Sequence, residues 1–118
     1  MVRIEQLAEA VLKSDGLTVR SLAQDFFREN PRLADIPKPA VDDVRLLAAC
    51  ASLLELFASR LGQDGPTWTE NIGPLPEPIF LLKAAATMKR LRTLCEAESP
   101  EPLRKRGFYA PPNYLEFA

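Results

Sequence analysis

The sequence predicts an all-α protein: a compact bundle of four principal helices, closed by a short C-terminal helix and an extended aromatic tail. Three observations carry that reading. Apolar residues recur at helical spacings of three and four in several separate stretches. Alternating runs of β-branched and aromatic residues are nearly absent. The chain of 118 residues, 47% hydrophobic and 26% charged, suffices for one domain (1–118) with a core of its own.

Residues 1–30 read as a helical hairpin. Ile4, Leu7, Ala8, Val11 and Leu12 make one apolar face, and Gly16 of "SDG" stands where a left-handed residue would stop the helix. Thr18 is placed to cap the second helix, with Leu17 and Leu22 spaced as a hydrophobic staple. Val19, Leu22, Ala23 and Phe26 are its core face, and Asn30–Pro31 ends it. After the proline-punctuated "PRLADIPKPA" comes the strongest element, a central helix over 41–62. Val44, Leu47, Ala51, Leu54, Ala58 and Leu61 form one seam; Leu46, Cys50, Leu53 and Phe57 form a second. Arg45, Ser52, Glu55 and Ser59 are left as a narrow polar stripe. Such a helix must be covered on most sides, by its own bundle or by a second copy of the chain. Asp42–Asp43 at its start read as capping acids.

Residues 63–78 form a Pro/Gly loop in which Pro74, Pro76 and Pro78 hold "GPLPEP" extended. Trp68 lies in this loop. Pro78 is placed to open a long helix over 79–97, burying Ile79, Phe80, Leu82, Ala86, Leu91, Leu94 and Cys95. Its solvent side would carry Lys83, Lys89, Arg90 and Arg92. Residues 99–118 give the last short helix, with Ser99 capping, Pro100 in the first turn and Gly107 as the stop, and then the tail. Arg104, Lys105 and Arg106 are expected at the end of this helix facing solvent or a partner, because adjacent cations are not buried without matching acids. Phe108 is expected to pack on the helices, with Tyr109, Tyr114 or Phe117 at least partly exposed.

The chemistry is as informative for what it lacks. There is no histidine, which removes the Ser-His, Cys-His and His-metal constellations together. Cys50 and Cys95 have no C-x-x-C spacing, so no metal site is expected, and no nucleotide-binding glycine motif occurs. The expectation is a protein that is not an enzyme and needs no cofactor. The opening residues show helical periodicity rather than a leader, and no apolar run is long enough to span a bilayer, so the expected setting is cytoplasmic, with both thiols reduced and buried. Charge is uneven: the stretch from Lys83 onward carries +3 and the part before it −4.

The second half, "TWTENIGPLPEPIFLL…MKRLRTLCEAESPEPLRKRGFYAPPNYLEFA", resembles a group of small uncharacterised bacterial proteins. They are found in two-gene modules resembling toxin–antitoxin systems, some beside nucleotidyltransferase-fold proteins. The matching positions are Trp68, Leu75, Glu77, Pro78, Arg90, Arg92, Glu98, Ser99, Pro100, Arg104 and Arg106. Where that pattern often has Arg-Asn after the basic step, this chain has Arg106–Gly107. The resemblance implies an antitoxin-like role with a partner that is a nucleotidyltransferase-fold, toxin-like protein.

The expected function is therefore a non-catalytic protein-interaction module, antitoxin-like or an adaptor, in a bacterial two-protein system. Its binding surface would draw on Trp68, Arg90, Arg92, Arg104, Lys105, Arg106, Tyr109, Tyr114 and Phe117, since aromatics and Arg anchor protein interfaces. One alternative is a nucleic-acid-binding regulator using the basic face of the C-terminal helices, which the net charge of −1 argues against. The other is a self-associating structural protein, a homo-oligomer through the central helix.

Overall fold

A computed structural model describes residues 2–13 and 15–115. The chain is mostly helical, with a two-stranded parallel sheet near its end. In order, the elements are α1 (Ile4–Leu12), α2 (Gly16–Glu29), α3 (Val44–Leu61), β1 (Ile79–Phe80), α4 (Lys89–Glu98), α5 (Glu101–Arg104) and β2 (Phe108–Tyr109). Three 3₁₀ turns, Leu33–Asp35, Thr67–Asn71 and Lys83–Ala86, lie between them.

The third helix is the axis. It packs against α1 on one side and against α5 and the Thr67–Asn71 turn on another. Every residue from Ala48 to Leu54 is buried, as are Leu56, Phe57 and Ala58. Phe57 meets Phe27 edge-on at 4.7 Å between ring centroids, and Phe26 lies 6.4 Å away, so an aromatic cluster locks α2 to α3. Asp43 caps α3 as anticipated for the acidic pair, its carboxylate accepting from the N–H groups of Arg45 and Leu46. The two ends of the expected seam are not in the core: Val44 is 67% exposed and Leu61 54%.

The second helix begins earlier than expected. Asp15, not Thr18, is its cap, taking the Thr18 N–H at 3.2 Å and the Thr18 hydroxyl at 2.7 Å. Gly16 is thus the first helical residue and has no positive φ. Leu17 then points away from the core, 87% exposed, and forms no staple. Asp wins because its carboxylate serves a backbone N–H and a hydroxyl at once.

The long helix expected over 79–97 does not form. Ile79 donates its N–H to the Gly107 carbonyl at 2.8 Å and Leu81 donates to Tyr109 at 3.0 Å, so these residues pair with a segment nearly thirty positions away. Ile79 stands opposite Phe108, and Phe80 opposite Tyr109. The alanine run becomes a 3₁₀ turn, and a helix resumes only at Lys89. Parallel strands need a crossover, which α4 and α5 supply. Ser99 does not cap α5 either. It closes α4, while Pro100 occupies the cap position and Pro102 lies within the helix. Gly107 does stop α5, at φ +91, a conformation in which a Cβ would be strained.

Candidate functional site

The polar stripe of α3 is where sequence and structure part most usefully. Ser52 is fully buried, and the Glu55 side chain is only 16% exposed. What covers Glu55 is the C-terminal segment, and the group meeting it is Arg106, itself 2% exposed. The expectation that Arg106 faces solvent or a partner is overturned, because the matching acid exists on α3. Arg106 Nη1 reaches Glu55 Oε1 at 2.7 Å and Nη2 reaches Oε2 at 3.0 Å, a bidentate pair. Its Nε donates to the Ile72 carbonyl at 3.1 Å and Nη2 to that of Thr69 at 2.6 Å, with Pro102 at 3.5 Å. All five guanidinium donors are used. Lys105 Nζ adds a bond to Glu55 Oε1 at 2.7 Å. Burial pushes the Glu55 carboxyl up, but the hydrogen bonds from Arg106 and Lys105 outweigh it and hold the group at about 2. This node ties α3, the Thr67–Asn71 turn and the C-terminal segment to one point.

Trp68 belongs to the same scaffold. Half-buried against the core, it donates its indole N–H to the Ile36 carbonyl at 2.9 Å, pinning the connection before α3. The tail is held in two further places. Ser99 Oγ accepts the Ala110 N–H at 2.9 Å and lies against the carbonyls of Cys95 and Ala110, to one of which it gives its proton. Arg60 donates to the carbonyls of Tyr114, at 2.5 Å, and Pro112. Phe108 is buried as expected, and Tyr114 is half-buried against the core, where burial drives its hydroxyl pKa upward. Phe117 lies outside the described residues. Ser99→Ala leaves a buried N–H and carbonyl without partners, so it is expected to cost ~1–3 kcal/mol in urea unfolding and to speed exchange of the Ala110 amide.

A surface cluster of cations and rings remains. Tyr109 and Phe80, neighbours across the two strands, stack with centroids 5.3 Å apart and planes 28° from parallel. The Arg92 guanidinium sits 4.9 Å from the Phe80 centroid. Its Nε bonds Glu96, one turn on, at 3.1 Å. Both rings are half-buried, and Arg92 is exposed. The structure therefore gathers Arg92 and Tyr109 of the expected residues and adds Phe80, which a helix over 79–97 would have buried in its core. Arg90, two positions from Arg92, falls on a different side of α4. Arg104 is engaged with Glu101 at 3.0 Å.

Both cysteines are free and buried, and burial raises the Cys50 thiol to about 12. Among the described residues no group of His, Cys, Asp or Glu is placed to hold a metal ion, and no helix is long and apolar enough to cross a membrane. No family model, curated protein or solved structure matches this chain.

Proposed function

We propose that this chain is a non-catalytic protein-interaction module whose contact surface is the Tyr109–Phe80–Arg92 stack. The carrying observation is the stack itself: two aromatic rings and a guanidinium pre-assembled at a solvent-facing edge. Rings and Arg held in place lose little conformational freedom on binding, which is what makes them interface anchors. Glu55, with little exposed surface, is saturated by Arg106 and Lys105, which fits a structural role for this carboxylate rather than proton transfer. From the residue pattern of 67–118, which resembles members of two-gene modules, we further propose an antitoxin-like or adaptor role in a bacterial two-protein system.

The test is capture of interacting proteins from the native host by the tagged full-length chain, compared with Phe80→Ser together with Tyr109→Ser. A stoichiometric protein partner, retained by the parent and lost by the ring variant while its circular dichroism is kept, is the expected result. Capture of nucleic acid alone, or a partner held equally by both, overturns the reading.

A further inference from the structure

Resting on that reading, we infer that the stack receives an acidic segment of a partner protein. Such a segment would place an apolar or aromatic side chain beside Phe80 and Tyr109, and carboxylates beside Arg92 and Lys89.

The charge pattern is the first reason. Residues 78–95 contain Lys83, Lys89, Arg90 and Arg92 and no acid at all. Helical spacing brings Met88 and Lys89 one turn before Arg92, onto its side of α4. Lys89 has no ion-pair partner among the described residues, and Met88 is 56% exposed, so cation and apolar surface alternate beside the rings.

The second reason is how Arg92 is held. A guanidinium over a ring keeps its N–H edge free for in-plane hydrogen bonds. Here Nε is given to Glu96, whose side chain is 52% exposed, while the terminal nitrogens make no hydrogen bond among the described residues. That open edge matches an incoming carboxylate, taken bidentately, with Glu96 marking the geometry. A nucleic acid would also bring anions, but it would want a free ring to stack on. The Phe80 ring already carries Tyr109 and Arg92, and the chain as a whole is at −1.

The experiment selects random peptides displayed on phage against the purified full-length chain. Enriched peptides are then measured by fluorescence anisotropy at low and high salt, with a single-stranded oligonucleotide of equal charge as competitor. The expected outcome is enrichment of Asp and Glu around an aromatic or leucine. Affinity should fall about tenfold or more in Lys89→Glu with Arg92→Glu, with the melting temperature kept. Arg92→Lys, which retains the charge but not the fork, should lose an intermediate part. Enrichment of neutral or basic peptides, or affinities indifferent to the charge reversal, overturns the inference. An oligonucleotide that binds more tightly than the peptides overturns it in favour of nucleic acid. A host partner that depends on Phe80 and Tyr109 yet ignores the charge reversal removes the acidic segment while leaving the interaction-module reading intact.

Discussion

Arg106→Met is expected to destabilise the protein by ~3–5 kcal/mol, a large share of what holds a domain of this size together. The substitution keeps apolar bulk but leaves Glu55, with a side chain only 16% exposed, without its bidentate partner. It also strands the carbonyls of Ile72 and Thr69 that the guanidinium now serves. Urea unfolding measures the loss, and a value below about 1 kcal/mol would mean that the pair is solvated. Glu55→Met should cost a similar amount, and the double variant far less than the sum, because the Lys105 ammonium that then loses its partner is 45% exposed and no buried unpaired charge remains. Acid reports the same node. Glu55 titrates at about 2 in the folded protein against an ordinary 4.5, so its contribution is complete above 4.5 and lost as pH falls toward 2. Across that window the parent should lose more stability than Glu55→Gln, on the order of 1–3 kcal/mol once partial solvent screening is allowed for, from a higher starting value. Identical acid limbs in the two proteins would show that the carboxyl is not held ionised. Arg106→Glu, which sets a second carboxylate against Glu55, is expected to unfold the domain.

Leu54→Ala is expected to cost ~2–5 kcal/mol, since the side chain is fully buried on the axis helix and its removal leaves a cavity. Val44→Ala, from the same predicted seam, should change stability by less than about 0.5 kcal/mol because that side chain is 67% exposed. Equal effects at the two positions would mean that α3 is not covered unevenly along its length.

Several elements were legible for reasons that are local. The apolar face of α1, the Asp43 cap and the left-handed stop at Gly107 depend on residues within a turn of one another. The stack was half legible: Arg92 and Tyr109 stood out as a cation and an aromatic, whereas Phe80 looked like one more apolar residue of a helix. A signal did exist, two apolar dipeptides, Ile79–Phe80 and Phe108–Tyr109, each just after a proline or glycine breaker. It is weak, since two-residue strands carry almost no periodicity.

The sequence by itself determined a mostly helical chain with α3 as its apolar axis, because helical periodicity and capping are short-range properties written every three or four residues. Only the tertiary structure decided that Glu55 and Arg106, 51 positions apart, neutralise each other inside. The same holds for residues 79–81, which spend their N–H groups on the C-terminal segment rather than on a helix. Both outcomes turn on long-range partners. A charge is buried or exposed, and a backbone N–H is helical or extended, according to which distant group the fold brings within about 3 Å.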